Sequence, residues 1–259
     1  MPAGDQADVA GERAVYVYGI LPSDVEVTDD AQGVGDPPAE VVLVKHGEIA
    51  ALVSLIDPNV RLGRSEDLMA HQALLDQVAV AVPVLPVRFG AVVANEDAVI
   101  EVLLAPHHDD FVAALAELDG KAQFVIKGRY EMDVFLRQLF SEDRQLGRLR
   151  DAIRGKPEAV TQAGRMAIGE RVAGAIAARR DADTRELVTA LTEFGATVNL
   201  REPTHDEDAV HVACLIDLEK QPDLESTVER LAQEWADRVS VRLLGPLAAY
   251  DFVVANPQE

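Results

Sequence analysis

The stretch Ala81-Val82-Pro83-Val84-Leu85-Pro86-Val87-Arg88-Phe89-Gly90 is apolar except for one arginine near its end. Two prolines three residues apart do not fit a helix interior and cannot donate to a sheet ladder, so the stretch predicts an edge strand or a bulged strand. An arginine buried without a partner is strongly destabilising. Arg88 is therefore expected either to brace the fold or to reach a partner, and internal pairing is the commoner arrangement for a charge in an apolar run.

The length and charge of the chain limit the classes of partner and location. Its 259 residues are 48% hydrophobic, enough for one large domain or two smaller ones. The 45 acidic and 24 basic residues give a net charge of -21, so neither nucleic acid nor a membrane surface is an expected partner. No apolar run approaches the ~20 residues of a membrane-spanning helix. Because the start lacks a secretory signal and Cys214 is the only cysteine, we expect a cytoplasmic protein.

The N-terminal half predicts an α+β domain over residues 14–119, preceded by a disordered segment, 1–13, that is polar and without periodicity. The elements expected in it are a strand from Ala14, a hairpin of Val41–Val44 and Ile49–Leu55, a helix with Ser65 as its N-cap, the strand from Pro83, and a helix capped by Asn95.

The C-terminal half predicts a second domain over residues 120–255. Its order approximates the split βαβ arrangement of a ferredoxin-like sheet, with an enlarged helical crossover formed by a helical hairpin at about 132–180. Asp183-Thr184-Arg185-Glu186 has the spacing of a capping box and predicts the start of a third helix. The candidate for the fourth strand is Ala196–Leu200, and Phe252–Val254 is a candidate extension of the last strand.

The sequence gives no pattern for catalysis, a cofactor or a metal, which need converging polar groups or ligands at defined spacings. His71 lies on the apolar stripe of its helix and is expected to be a core histidine. His107-His108-Asp109-Asp110 begins a helix, where the acids complement the helix dipole. Gly33-Val34-Gly35 lacks the third glycine of a dinucleotide fingerprint.

Three stretches of the chain, within 15–254, resemble the gas vesicle protein F/L family (GvpF/GvpL). The first is Tyr16-Val17-Tyr18-Gly19-Ile20. The second is His71 with Val84-Leu85-Pro86-Val87-Arg88-Phe89-Gly90, similar to the family's histidine-bearing helix and Leu-Pro-x-Arg-Phe-Gly block. The third is Ala213–Asp217 with Gly245-Pro246-Leu247-Ala248-Ala249-Tyr250-Asp251-Phe252, similar to the family's Gly-Pro-x-x-x-Tyr-x-Phe ending. The family often has tryptophan and prolines where this chain has Leu247, Ala248 and Ala249, which puts any aromatic contact made there by relatives in doubt.

The resemblance implies a two-domain α+β protein with a ferredoxin-like C-terminal part. It also implies a non-enzymatic role, without a cofactor, in assembling gas vesicles, the air-filled protein shells that give cells buoyancy. The implied partners are the small shell protein and other vesicle accessory proteins, and F and L members are not distinguished. A small-ligand-binding regulatory module of ferredoxin-like fold is the alternative, by fold analogy. The candidate partner-binding or structural residues are Val84, Leu85, Pro86, Arg88, Phe89, Gly90, His71, Tyr250 and Phe252.

Overall fold

The computed structural model describes residues 13–28, 31–59 and 62–252. The predicted disordered segment therefore lies, except for Arg13, outside the described residues. The chain divides into two compact units, one formed by residues 1–122 and 246–259 and the other by residues 123–245. The sequence analysis placed everything from residue 120 to 255 in the second domain. That assignment is wrong for the segment that follows Gly245, which packs in the first unit.

The first unit is built around an antiparallel sheet in which the central strand is almost entirely buried. Its strands are β1 (Ala14–Pro22), β2 (Val41–His46), β3 (Ile49–Ile56), β4 (Leu85–Pro86) and β5 (Val92–Val93). The order is β2-β3-β1-β4, and β5 also pairs with β1. The β-branched and aromatic residues of β1 occupy the centre because both of its faces are covered. The hairpin of β2 and β3 turns at Gly47, whose φ of 60° suits glycine.

Side chains cap the start of two helices of the first unit. They are α1 (Ser65–Ala81), α2 (Glu96–Ala98), which continues as a π-helix (Val99–Leu104), and α3 (His108–Leu118). Asn95 caps α2 by accepting a hydrogen bond from the Ala98 N–H, as predicted. The N-cap of α1 is Arg64 instead of Ser65, because the buried Asp67 carboxylate accepts from the Arg64 N–H and fixes the first turn there.

The second unit contains a four-stranded sheet with helices between its strands. The strands are β6 (Lys121–Tyr130), β7 (Thr197–Leu200), β8 (Asp208–Asp217) and β9 (Val239–Leu247), in the order β7-β8-β6-β9. The helices are α4 (Met132–Glu142), α5 (Arg144–Ile153), α6 (Glu158–Thr192), a 3-10 turn (Leu218–Lys220) and α7 (Gln221–Glu234). The candidate strand Ala196–Leu200 is β7. Phe252 lies in a turn instead of a strand, and the rest of that candidate extension is outside the described residues.

Two predictions about the helical region are wrong. The first helix of the hairpin predicted at about 132–180 is broken at Asp143, whose carboxylate caps α5 by accepting from the N–H groups of Gln145 and Leu146. No helix starts at Asp183, since α6 runs through it for 35 residues. Asp183 does not cap a helix because its carboxylate is buried and paired with Arg238.

The chain thus mixes helix and sheet in both units. Within residues 13–28, 31–59 and 62–252, no helix combines the length and the apolar character that crossing a membrane requires.

Candidate functional site

The block Ala81–Gly90 is attached to β1 by the two paired residues of β4 and by one further backbone hydrogen bond. In β4, Leu85 pairs with Ile20 and Pro86 pairs with Gly19, and the Val87 N–H donates to the Tyr18 carbonyl at 2.9 Å. The edge position agrees with the two prolines, although the strand is shorter than expected. Gly19 permits the approach, because a Cβ there would lie 2.9 Å from the Leu85 carbonyl oxygen.

A histidine and a tyrosine hold the end of this block against the core. Nδ1 of the buried His71 lies 2.9 Å from Oη of Tyr16, and the Gly90 N–H donates to the same Oη at 3.1 Å. The Tyr16 hydroxyl accepts from the Gly90 N–H, and it donates to Nδ1 in the tautomer of His71 that carries its proton on Nε2. His71 also makes a hydrogen bond with the backbone of Val87. The chain is therefore fastened on both sides of Arg88.

Burial keeps this network uncharged. It lowers the pKa of His71 to about 4, so the imidazole is neutral near pH 7, and it raises the pKa of Tyr16 and of Tyr18. The half-buried Phe89 ring packs edge-on, with its centroid 5.6 Å from that of His71 and 6.2 Å from that of Tyr16. His71 is thus the core histidine that its apolar stripe predicted.

Arg88 is exposed, and the prediction that it braces the fold internally is wrong. Among the described residues no carboxylate lies within ion-pair distance of its guanidinium. The reason is local: β4 ends at Pro86, and the chain then turns, with the Ala91 N–H donating to the Arg88 carbonyl at 3.3 Å and Gly90 at a φ of 89°. The arginine sits on the outside of that turn.

An apolar groove adjoins Arg88, with a volume of about 300 Å³. We call it the Arg88 groove. Its walls are Val17, Val87, Arg88, Phe89, Gly90, Ala91, Val92, Val93, Val102 and Leu103. Val92 and Val102 are exposed at its rim. The groove can bury apolar side chains of another molecule while Arg88 donates to a carboxylate or carbonyl beside them.

The sequence analysis missed both valines of the rim. Val102 lies in the continuous apolar run Val99–Leu104, in which only Glu101 is charged, so periodicity does not separate a surface residue from a core residue there. The π-helical hydrogen bond from the Ala105 N–H to the Ile100 carbonyl, at 2.8 Å, further changes which residues share a face.

The other candidate residues are buried or half-buried in the fold. Val84, Leu85 and Pro86 are buried residues of the block itself. Tyr250 and Phe252 are half-buried in the segment after β9, and neither lines the Arg88 groove. That segment docks on α1, where the Ala248 N–H donates to the Asp76 carboxylate at 2.9 Å. The Tyr250 hydroxyl is hydrogen-bonded to the same carboxylate.

Neither metal nor thiol chemistry has a visible site in the described part of the chain. Across it, no three side chains of the types His, Cys, Asp and Glu come together in a way that could hold a metal ion. Burial raises the pKa of the Cys214 thiol to about 12, so it is protonated at neutral pH and packs as a small apolar group.

Comparison with known proteins shows which family the chain belongs to. The sequence profile described as "Gas vesicle synthesis protein GvpL/GvpF" matches residues 14–254. This chain belongs to the GvpL/GvpF family. It is similar to the gas vesicle protein F of Streptomyces sp. (strain CB03234), with 30% identity over 241 residues that cover 93% of this chain and 99% of the relative. The gas vesicle protein F of Dolichospermum flosaquae is 26% identical, with coverages of 92% and 96%.

A solved structure supports the fold of this GvpL/GvpF member. The crystal structure of GvpF from Anabaena sp. PCC7120 superimposes with a TM-score of 0.77, at 22% identity, over 93% of this chain and 98% of that one. Family membership gives the chain a role related to gas vesicles. Three of the family-like stretches pack in the first unit. They are β1, the block Ala81–Gly90 (the Arg88 block) and the segment after Gly245.

Proposed function

We propose that the protein is a non-enzymatic accessory or minor structural component of gas vesicle assembly, located in the cytoplasm and associated with vesicles. In this proposal it binds the small shell protein, and other vesicle proteins, while vesicles form. The Arg88 groove is the contact surface. The observation that carries this choice is an exposed arginine that lies beside exposed valines. The arginine is on a turn, and hydrogen bonds with His71 and Tyr16 hold that turn in place.

The physical need for such a surface follows from the shell itself. A shell protein must turn one face towards gas, so that face is apolar and prone to aggregate before assembly. A binder that covers it needs an apolar groove and enough charge to keep the complex dispersed. The Arg88 groove offers the first property, and the net charge of -21 offers the second.

The backbone edge next to the groove contributes less than the side chains. On the side of β1 away from β3, the strands β4 and β5 are two residues long each, and no described strand pairs with their outer edge. Pro86 has no N–H to donate at that edge and Pro83 lies just before β4, so the two prolines limit any added strand to a few registers. Side-chain burial in the groove is therefore expected to supply most of the affinity.

The test is a titration of the shell protein against single-residue variants of the groove. Val102→Glu places a charge at a side chain that is 58% exposed, and Met69→Glu, at a side chain of α1 that is 61% exposed and outside the groove, is the matched control. We expect Val102→Glu and Arg88→Glu to weaken binding by about tenfold or more, and Met69→Glu to leave it unchanged. Phe89 is unsuitable for this purpose, because its ring packs on His71 and Tyr16.

Salt separates an apolar contact from an electrostatic one. Retention of the shell protein should persist at moderate ionic strength, since apolar burial is not screened. Equal binding by wild type and the two groove variants, all shown to be folded by circular dichroism, would remove the Arg88 groove from the interface.

We further propose a ferredoxin-like arrangement for the second unit. The order β7-β8-β6-β9 supports it, because the first and third strands of the unit are central and the second and fourth are at the edges. The helices α4, α5 and α6 then form the enlarged crossover between the first strand and the second.

A further inference from the structure

Strand β7 leaves one backbone edge unpaired among the described residues. It pairs antiparallel with β8, with Leu200 opposite Val212, and the Arg201 N–H donates to the His211 carbonyl at 3.0 Å. Since backbone groups alternate in direction along an antiparallel strand, those of Thr197, Asn199 and Arg201 face β8. The N–H and C=O groups of Val198 and Leu200 therefore face outwards, where another strand could bind them.

A cavity lies beside this edge, between α6 and the sheet. Its volume is about 410 Å³, and its walls include Leu200 and Val210 from the sheet and Arg180, Thr184 and Arg185 from α6. The side chain of Leu200 is 61% exposed. A strand added to β7 would direct every second side chain into this cavity, because successive side chains point to opposite faces of a sheet.

The charges of the cavity favour an acidic occupant. Arg185 is exposed, and in the described part of the chain its guanidinium has no ion pair. Arg180 is engaged by backbone, since its Nε and Nη2 donate to the carbonyls of Asp208 and Asp206 at 2.6 and 2.7 Å. Arg185, which lines the same cavity as the exposed Leu200, is therefore available to a carboxylate of a bound segment.

The carboxylates around the cavity do not cancel this preference. The buried Asp208 accepts hydrogen bonds from the Thr204 N–H, the Thr204 hydroxyl and the His205 N–H. It also lies 3.8 Å from Nε of Arg129 and 4.0 Å from Nζ of Lys127. Asp181 and Glu202 line the cavity too, but both are exposed to solvent.

We propose that the free edge of β7 is a docking site for an extended, acidic segment of a partner protein. The segment adds as a strand beside β7, bonds the backbone of Val198 and Leu200, and places an apolar side chain on Leu200 and a carboxylate at Arg185. This is recognition by strand addition, in which the backbone supplies affinity and alternate side chains supply specificity. The site is separate from the Arg88 groove, whose edge carries prolines while β7 carries none.

The experiment measures amide exchange by NMR on the full-length protein with a defined peptide. The probe is the capped peptide Thr-Val-Thr-Glu-Thr-Val-Thr-Glu-Thr, which presents valine and glutamate alternately on one face. Its control has glutamine in place of glutamate. We expect the acidic peptide to slow exchange of the Val198 and Leu200 amides and to leave Asn199 unchanged, because the Asn199 N–H already faces β8. We expect the glutamine peptide to bind about tenfold more weakly.

Variants and a modified peptide make the result specific. Arg185→Glu should abolish the preference for glutamate, while Arg242→Glu, at an exposed arginine on β9 at the opposite sheet edge, should retain it. Methylating the peptide nitrogens should remove binding. The proposal is overturned by an absence of protection at Val198 and Leu200 with millimolar acidic peptide, by equal protection from the glutamine peptide, or by undiminished binding of the N-methylated peptide.

Discussion

The guanidinium of Arg238 donates to both carboxylate oxygens of Asp183, with Nη1 2.6 Å from Oδ2 and Nη2 2.9 Å from Oδ1. The pair joins the C-terminal half of α6 to the turn before β9 and is largely buried. The Tyr130 hydroxyl donates to the same Oδ2 at 2.9 Å, and Nε of Arg179 lies 3.4 Å from Oδ1. Asp183 thus links three elements of the second unit: β6, α6 and the start of β9.

Replacing Asp183 should destabilise the protein strongly. Asp183→Ala leaves the Arg238 guanidinium buried without its counter-charge, and we expect the free energy of unfolding to fall by about 3–5 kcal/mol. Asp181→Ala, at an exposed position of the same helix, is the control and should change it by less than about 0.5 kcal/mol. Urea unfolding followed by circular dichroism measures both. A loss below about 1 kcal/mol for Asp183→Ala would contradict a structural role for this pair.

The free energy of unfolding should fall as the pH is lowered from about 6.5 towards 4. In this range His71 binds a proton in the unfolded chain but not in the folded protein. Burial lowers its pKa from 6.5 to about 4, so between these values the unfolded chain takes up more protons than the folded one. The contribution is fully present above about pH 6.5 and is lost on going towards pH 4. From pH 7 to pH 5 we expect a loss of about 2 kcal/mol from this residue.

The variant His71→Gln separates the effect of this histidine on stability from that of the carboxylates, which also bind protons in acid. Burial opposes ionisation of Asp67, but hydrogen bonds from the N–H groups of Arg64, Gly63 and Gly35 outweigh it and lower the pKa of this carboxyl. Urea unfolding at pH 7, 6 and 5 should show the slope in wild type and its absence in His71→Gln. Parallel slopes in the two proteins would show that His71 is not the group responsible.

Replacing glycine with alanine should change the stability of the protein in opposite directions at two positions. Gly90 has a φ of 89° and open space around its Cα, so Gly90→Ala costs backbone strain of about 1–2 kcal/mol without a clash. Gly169 lies inside α6, also in open space, and Gly169→Ala should stabilise by about 0.5–1 kcal/mol. Thermal unfolding gives both signs directly, and a stabilising Gly90→Ala would be inconsistent with the turn described for the Arg88 block.

The elements that the sequence predicted well are those whose signals are local. β1 and the β2–β3 hairpin combine β-branched runs with glycine, proline or charged boundaries. The continuity of α6 was not predictable in this way. The spacing of Asp183 and Glu186 fits a capping box, but it also puts two acids on one face of a helix. The residue that pairs with Asp183 inside the continuous helix, Arg238, is 55 residues away in sequence.

The candidate site shows the same division between local and distant signals. The two prolines and Arg88 mark this block as a candidate in the sequence, yet the exposure of the arginine depends on where β4 ends and on the turn at Gly90. The groove beside it uses Val92 and Val102, which are adjacent to Arg88 only in the folded chain. Apolar residues of this kind give no sign in a single sequence that they face solvent.

The segment after β9 belongs to the first unit through contacts with α1. Ala248 is buried in the core that also contains Leu74 and Leu75, and its N–H donates to Asp76. Burial raises the pKa of Asp76, while the hydrogen bonds from Ala248 and Tyr250 hold it lower than burial alone would. The carboxylate therefore ties two residues of the C-terminal segment to the helix that also carries His71.

Removing this segment should destabilise the first unit. A chain ending at Leu247 loses the buried Ala248 and the hydrogen bonds to Asp76, and we expect a lower free energy of unfolding by about 2–4 kcal/mol. A chain ending at Phe252 is the matched comparison, so the difference isolates residues 248–252. Tyr250→Phe, which removes only the hydroxyl, should cost about 1–2 kcal/mol. Urea unfolding and amide exchange on α1 measure the effect, and equal protection of α1 in the two shortened chains would show that the segment does not stabilise this helix.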